Sequence, residues 1–291
     1  MIFRTLCSAI YLLLVSGYLL GQSNQIYSDT YTNELNGPGY FAPLADVLAS
    51  NLTAHSFSTH KKSGFGIHIG VIGVRSLISD GQKVHAGMTE GLDESTEVQV
   101  PTIFGSPSAV LTQDDIGNVY GFPGGFALNT VTFLVPQITI STPLNTDVSF
   151  RFFAHDFGGD FGQLSMIGGG VRHSLGDYFK LDNRQHITIG YSFNHLTADS
   201  DIVSFSVHEA QLEYGYNVNN LLMPYVNVHY MRSTLDIDYT QQVVETIFSG
   251  SGNQNVRGEL GFSFRLRPVL IRAGLHVLGT RGYSAIAGFT F

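Results

Sequence analysis

The sequence predicts an all-β protein, a closed antiparallel transmembrane β-barrel of about 12 strands, within a range of about 10 to 14, with a short N-terminal helix. Three observations predict it. Only 13% of the residues are charged, against roughly 25% in ordinary soluble domains. Long segments alternate between apolar and polar residues, and they match the ~9–11 residues of a tilted membrane strand. Beyond the N-terminus, no apolar run reaches the ~18–20 residues of a membrane helix, which excludes a helical membrane protein.

Residues 1–21 are predicted to be a secretory signal peptide. Met1 to Arg4 is positively charged, an apolar stretch runs from Ser8 to Leu20, and polar residues return at Gln22. This layout is typical of a cleaved signal, and cleavage is expected after Gly21. A retained N-terminal anchor is the alternative. Cleavage would remove the single cysteine of the chain, so that no disulfide could stabilise the mature protein.

Residues 22–63 are predicted to form an N-terminal tail and one short helix. Within Pro43 to Leu52, apolar residues recur at helical spacing, and Pro43 suits the first turn of a helix. The helix is expected either to plug the lumen or to cap the barrel on the periplasmic side.

Residues 64–291 are assigned to the barrel, with a first strand over about Gly64 to Arg75 and nine strands after residue 130. The stretch 77–130 adds none or two, because the number of strands should be even. Val98 to Phe104 and Ala109 to Thr112 are the weak candidates, and we predict twelve strands, with ten as the alternative. The alternation changes phase near Val207–His208 and near Arg232–Ser233, which indicates bulges or strand extensions beyond the bilayer.

The alternation also predicts which side chains face the lumen. An arginine that faced lipid at mid-depth would cost roughly 2–4 kcal/mol, so the charged face of each strand should point inward. We therefore expect eight lumen-facing charges: Arg151, Arg172, Glu209, Glu213, Arg257, Glu259, Arg265 and Arg272. Two interpretations stay open. The charges either create a transverse field across an aqueous pore or form salt bridges inside a plugged barrel.

The sequence carries no pattern that predicts an enzyme, a cofactor or a metal site. It lacks a Walker loop, an HExxH motif and a GxSxG motif, and its histidines are scattered over separate strands. A lipid hydrolase would need Ser192 and His195 together, but the alternation places them on opposite faces. The balance of 15 basic against 23 acidic residues disfavours a nucleic-acid partner.

The C-terminal strand, with Tyr283, Phe289 and Phe291, resembles the signal by which bacterial outer-membrane barrels engage their assembly machinery. Four further segments resemble an uncharacterised family of outer-membrane barrels typical of Bacteroidota-type bacteria, distantly like porins and transporters. They are Pro101–Gly105, Pro136–Thr139, Asp147–Phe152 and Gly168–Leu175. The resemblance implies insertion in the lipid of a Gram-negative outer membrane, with both termini facing the periplasm. It implies no reaction.

Two functions of different kinds follow. The first is a passive channel or transporter for small solutes whose identity the sequence does not give. The second is a structural or surface-interaction barrel with an occluded lumen and no transport activity. A soluble secreted β-sandwich is a further alternative, because soluble antiparallel sheets also alternate.

Overall fold

A computed structural model gives the fold of most of the chain. The residues it describes are 36–56, 64–89, 97–113, 119–156, 163–182, 184–198, 202–219, 221–241, 244–266 and 268–291. The helix α1 spans Gly37–Leu52. The strands are β1 Gly66–Leu77, β2 Val84–Met88, β3 Glu97–Pro101, β4 Val110–Gln113, β5 Val119–Phe122, β6 Thr130–Ser141, β7 Thr146–Asp156, β8 Gln163–Ser174, β9 Gln185–Ala198, β10 Val203–Tyr216, β11 Leu222–Gln241, β12 Val244–Gly250, β13 Val256–Leu266, β14 Val269–Leu278 and β15 Gly282–Thr290.

The described strands include an 11-stranded antiparallel sheet that closes into a barrel. β1 pairs with both β6 and β15, and β10 pairs with both β9 and β11, so the ring has no free edge. β12 pairs only with β11 and extends their hairpin beyond the ring. The barrel wall therefore has ten strands, and the preferred count of twelve is wrong.

The two extra strands were expected from segments that form small hairpins instead. Within the described part of 78–129, β2 pairs with β3 and β4 pairs with β5, each pair forming a two-stranded sheet of its own. These strands have only four or five residues, against the ~9–11 that a membrane-crossing strand needs. They lie at the end of the barrel where β1 ends and β6 begins.

The two ends of the barrel differ in their connections. We call the end with the connections 78–129, 157–162, 199–202, 242–255 and 279–281 the loop end. We call the other end, with 142–145, 175–184, 217–221 and 267–268, the turn end. Phe291 pairs with Ile67 at the turn end.

The wall strands present apolar side chains outward and mostly polar ones inward. In β15, every second residue from Tyr283 to Phe289 is exposed, and every second residue from Gly282 to Gly288 is buried. The outward face carries large exposed side chains all round the barrel, among them Ile69, Phe152, Ile189, Leu212 and Leu275. Among the described residues, no helix is both long enough and apolar enough to cross a membrane.

The helix begins earlier than expected, at Gly37 rather than near Pro43. Pro38 occupies the first turn, where its missing N–H costs nothing, and Pro43 lies inside the helix. Thirteen of the sixteen residues of α1 are buried, which is far more than an amphipathic surface helix would bury.

α1 lies inside the barrel and runs from the loop end toward the turn end. Near its start, the side chain of Asn36 exchanges two hydrogen bonds with the backbone of Met88 in β2, at 2.8 and 3.0 Å. Beyond its end, the Ser56 hydroxyl donates a hydrogen bond at 2.5 Å to Glu209, which lies midway along β10. The described chain thus enters the lumen from the loop end; the predicted signal peptide and the tail up to residue 35 lie outside the described residues.

The two phase changes in the sequence are not bulges. β10 pairs with β9 and with β11 in continuous register through Val207, His208 and Arg232. Apolar side chains turn inward in the loop-end half of these strands, because there they pack on α1. This apolar cluster contains Phe41, Leu48, Phe205, Val207, Met231, Leu235 and Phe248. A register shift does occur at Gly258/Glu259, between β13 and β14.

Candidate functional site

The candidate site is a layer of buried charges in the lumen, beneath the C-terminal end of α1. Of the eight charges expected to face the lumen, seven are at most 4% exposed, and Arg265 is half-buried. Three strands of the wall, β10, β13 and β14, supply most of them. Because the wall is a closed sheet with side chains alternating in and out, residues far apart in sequence meet across this layer.

Two arginines of the layer bind the last carbonyl groups of α1. Arg257 donates to the carbonyl of Ser50 at 2.6 Å and to the carbonyl of Thr53 at 3.3 Å. Arg151 donates to the carbonyl of Leu52, and to that of Ala54 at 2.7 Å. Because α1 has no basic residue in its last turn, the wall supplies the positive charge that favours the negative end of the helix dipole.

Arg257 also lies at the centre of a cluster of carboxylates and imidazoles. Its guanidinium is 3.7 Å from a carboxylate oxygen of Glu209 and 3.9 Å from one of Glu259. His229 contacts Glu209 directly, and its other ring nitrogen lies 3.8 Å from Glu259. Glu209 in turn accepts hydrogen bonds from Ser192 at 2.6 Å and from Ser56, below α1, at 2.5 Å. Wall and plug therefore share one polar network.

A second group of charges continues the layer around the wall. Glu213 and Arg272 form a direct ion pair, and the Arg272 guanidinium lies 3.7 Å from the centre of the Tyr225 ring. The Tyr225 hydroxyl donates to Glu259 at 2.5 Å, which joins this group to the first. Arg172 pairs with Asp147 at 2.6 Å and lies 3.9 Å from Glu213.

Nearer the loop end, a single carboxylate of α1 is buried against the wall. Asp46 is 4% exposed and accepts a hydrogen bond from the backbone N–H of Gln254 at 2.8 Å. Burial raises the pKa of the Asp46 carboxyl from 3.8 to about 6, while the N–H groups of Gln254 and Asn253 act in the opposite direction. The docked helix therefore holds an ionisable group that water would solvate better.

Above Asp46, the loop-end hairpins close over the start of the helix. The Tyr40 hydroxyl donates to the carbonyl of Gly124 at 3.0 Å, and the N–H of Ile103 donates to the carbonyl of Tyr40 at 3.3 Å. Phe122 of β5 and Val100 of β3 are buried in the same apolar cluster as Tyr40. The plug and the hairpins therefore form one packed cap at the loop end.

Several residues of the site were not singled out from the sequence. Asp147, His229 and His276, the last of which lies 3.7 Å from Glu259, are on polar strand faces, so alternation alone could have added them. Asp46, Ser50 and Thr53 carry no comparable signal, because nothing in the sequence of a lone helix tells which of its faces meets a wall. In the part of the chain that the structure describes, no group of three or more His, Cys, Asp or Glu side chains could hold a metal ion.

The aromatic residues of the C-terminal strand lie outside this site. Tyr283, Phe289 and Phe291 are 48%, 55% and 70% exposed. Tyr283 and Phe289 belong to β15, which pairs with β1 to close the barrel.

Solved structures with low similarity to the chain include several barrels. The Escherichia coli outer membrane protein W is 14% identical, with a TM-score of 0.33, and the match covers 80% of this chain and 100% of that one. The translocator domain of the autotransporter NalP from Neisseria meningitidis is 12% identical, with a TM-score of 0.35 and coverages of 91% and 99%. The Ralstonia pickettii toluene transporter TbuX is 8% identical, with a TM-score of 0.27 and coverages of 79% and 90%. Since these TM-scores are low, the fold of this chain rests on its own strand pairing.

Among curated proteins, none matches the chain. One family model matches nearly its whole length, over residues 4–291, and its members have no known function. A match of this extent is sufficient to assign membership. The chain belongs to the family of unknown function DUF6588.

Proposed function

We propose that this protein is an integral β-barrel of a Gram-negative outer membrane that passes small solutes when α1 leaves the lumen. The outward face supports the membrane location, because a closed wall whose exposed side chains are mostly apolar suits hydrocarbon. The loop end would face outward from the cell and the turn end inward, as the lengths of the connections suggest.

The observation that carries the transport proposal is the charged layer beneath the plug. Buried charges stabilise a fold poorly, since desolvation offsets most of their attraction. Within membrane proteins such groups mark solute and ion pathways. Here seven nearly inaccessible charged side chains line the lumen, and α1 covers them through polar contacts that water could replace once the helix moves.

The occluded structural barrel is the second candidate, and the packing of α1 favours it. The helix buries thirteen residues and joins an apolar cluster with the wall and the hairpins. A helix held in this way closes the lumen for as long as it stays docked. The two candidates therefore differ in one property, which is whether α1 ever leaves.

A reversible tether between α1 and the wall tests the proposal. A Cβ built on Gly252 would lie 3.1 Å from the backbone nitrogen of Asp46, so cysteines at these two positions suit a disulfide. We expect the processed Asp46→Cys/Gly252→Cys variant to conduct ions in planar bilayers when reduced, to lose at least about nine-tenths of its openings when oxidised, and to regain them with reductant.

The two single-cysteine variants are the controls, and oxidation should leave their conductance unchanged. If neither the wild type nor the reduced double variant passes ions or sugars, the occluded structural barrel is the better description. If oxidation leaves the double variant fully conducting although the disulfide has formed, solutes do not need α1 to move.

We further infer that the barrel assembly machinery recognises the C-terminal strand. Tyr283, Phe289 and Phe291 are exposed on its outward side, and the strand forms the closing seam with β1. No catalytic activity is proposed.

A further inference from the structure

One part of the outward face is concave rather than convex. A groove of about 900 Å³ crosses five adjacent strands, β6, β1, β15, β14 and β13. Its size is that of a ligand site, for which volumes of roughly 300–1,000 Å³ are usual. It lies on the side of the wall that faces away from α1, so it is separate from the lumen.

The groove exists because one row of paired residues is small at its centre and large at its ends. Across the five strands, this row reads Leu134, Gly73, Ala285, Ala273 and Phe262. Three neighbouring positions thus lack side chains of any length, whereas a bulky residue stands on either side. The neighbouring row toward the loop end reads Thr132, Arg75, Tyr283, Leu275 and Leu260.

Two exposed arginines stand at the loop-end side of the groove. Arg75 is in the second row and donates a hydrogen bond to the hydroxyl of Thr130 at 3.2 Å. Arg281 directly precedes β15, and its carbonyl accepts a hydrogen bond from Leu77 at 2.8 Å. No acidic residue is among those that line the groove. An apolar groove with two cations at one end is complementary to an amphiphile with an anionic head.

We propose that this groove binds an anionic lipid with a phosphate head, with one acyl chain over Gly73, Ala285 and Ala273 and the phosphate at Arg75 and Arg281. The inference rests on the membrane location proposed above, and it is independent of whether the lumen conducts. Position decides the leaflet: the arginines lie toward the loop end, so the lipid belongs to the outer leaflet. The charge of the two arginines determines the headgroup, because two guanidinium groups bind an anionic phosphate head more strongly than a zwitterionic or neutral one.

The absence of tryptophan from the chain gives a direct test. A Phe262→Trp variant places a single tryptophan, the groove reporter, at the edge of the groove, where it can be excited selectively over the tyrosines. A Phe193→Trp variant places one on β9, across the barrel, as the β9 reporter. Each full-length protein is refolded into vesicles that contain brominated phosphatidic acid or brominated phosphatidylcholine as quencher. We expect phosphatidic acid to be preferred roughly fivefold or more at the groove reporter, and not at the β9 reporter.

Two further changes separate charge from shape. Arg75→Gln with Arg281→Gln should abolish the preference for phosphatidic acid and leave the total quenching unchanged. Ala285→Phe should fill the row of small residues and reduce quenching by both lipids at the groove reporter only. Neither change touches the lumen or the seam hydrogen bonds of the backbone.

Three results would overturn the proposal. The first is an equal preference for phosphatidic acid at both reporters, and the second is a preference that survives removal of both arginines. The third is a groove covered by a second copy of the chain, detected as weak quenching together with a cross-linked dimer. If the β9 reporter is quenched by both lipids while the groove shows no preference, the barrel is in the membrane and only the lipid site fails. If neither reporter is quenched, the membrane location itself is wrong.

Discussion

Arg151 and Arg257 act as the C-terminal cap of a helix to which they do not belong. A helix end usually uses a glycine or its own basic residues to satisfy the last carbonyl groups. Here the four carbonyls of Ser50, Leu52, Thr53 and Ala54 accept hydrogen bonds from two guanidinium groups of the wall. The same two side chains therefore hold the plug and complete the charged layer.

Arg257→Met should destabilise the protein strongly, since it removes a donor from two carbonyls of α1 and a counter-charge from Glu209 and Glu259. Breaking a buried pair while leaving its partners in place costs roughly 3–5 kcal/mol. We expect a loss of this size in the free energy of unfolding, measured by urea titration of the barrel in lipid vesicles.

Arg265→Met is the matched control in the same strand, because Arg265 is only half-buried. Its loss should be at most about 1 kcal/mol, as for other partly solvated charges. Equal losses in the two variants would mean that the contacts between Arg257 and α1 add nothing to stability.

The charged residues also show which contacts of single residues can be predicted from the sequence and which cannot. Alternation within β13 is enough to place Arg257 and Glu259 on one face. It says nothing of Ser50 or Thr53, which are about 200 residues away in the chain. Contacts of that kind depend on the order and stagger of strands around the closed wall, and no local pattern encodes them.

At the scale of elements, α1 is the feature that the sequence describes least well. Its apolar spacing predicts a helix, but the burial extends to nearly all sides, including Asp46, Ser50 and Asn51. These polar residues look solvent-facing in sequence because their partners are in the wall. The same cause produced the two changes of phase: apolar residues such as Phe205 in β10 and Leu235 in β11 point inward because α1 offers them an apolar surface.

The contribution of Asp46 to the docking of α1 should weaken as the pH rises. An undocked Asp46 has a pKa near 3.8, whereas burial raises the pKa of the docked carboxyl to about 6. Between these values the docked state binds the extra proton, so this contribution is largest below pH 4 and declines until about pH 6, by up to about 3 kcal/mol at ~1.4 kcal/mol per pH unit. His55 acts in the opposite direction, because burial lowers its pKa from 6.5 to about 4. Hydrogen exchange of the α1 amides, corrected for intrinsic rates, should therefore show the Asp46 contribution as the difference between the wild type and Asp46→Asn between pH 4 and 7.

Asp46→Asn should remove the Asp46 contribution and leave that of His55, because the amide oxygen still accepts from Gln254 and carries no charge. Asp80→Asn is the control: Asp80 lies at the loop end, pairs with Lys83 and is fully exposed, so the variant should keep the wild-type profile. An Asp46→Asn profile that matches the wild type would assign the pH effect to other groups.

At the scale of the whole molecule, the fold class and the closed wall follow from the sequence, whereas the number of strands does not. Alternation recurs in every strand of the wall, and this fixes a two-faced antiparallel sheet. The segments near Val98 and Ala109 have the residue types of strands but form hairpins too short to cross a membrane. Residue types predict that a segment forms a strand. Whether that strand joins the barrel wall or a separate hairpin depends on the strand with which it pairs.

The seam between β1 and β15 should be the position at which closure is easiest to disturb. Gly288 is paired with Gly70, and a Cβ on Gly288 would lie 2.6 Å from the Cα of Gly70 and 2.8 Å from Nε2 of His68. Gly288→Val should therefore force the two strands apart, at a cost of roughly 1–3 kcal/mol or more. We expect the folded band on unheated gels to unfold at a clearly lower temperature.

Ala287→Val is the control, because Ala287 is the next residue of β15 and is exposed on the outward side. It should leave the transition temperature within a few degrees of the wild type. If Gly288→Val unfolds no earlier than Ala287→Val, the seam tolerates side chains and closure depends on another pair of strands.

The direction of α1 sets an order for assembly. The closed wall surrounds an upstream segment of its own chain, with Asn36 at the loop end and the start of β1 at the turn end. We expect α1 to dock before the first and last strands pair, so that closure of the seam between β1 and β15 encloses a helix that is already in place.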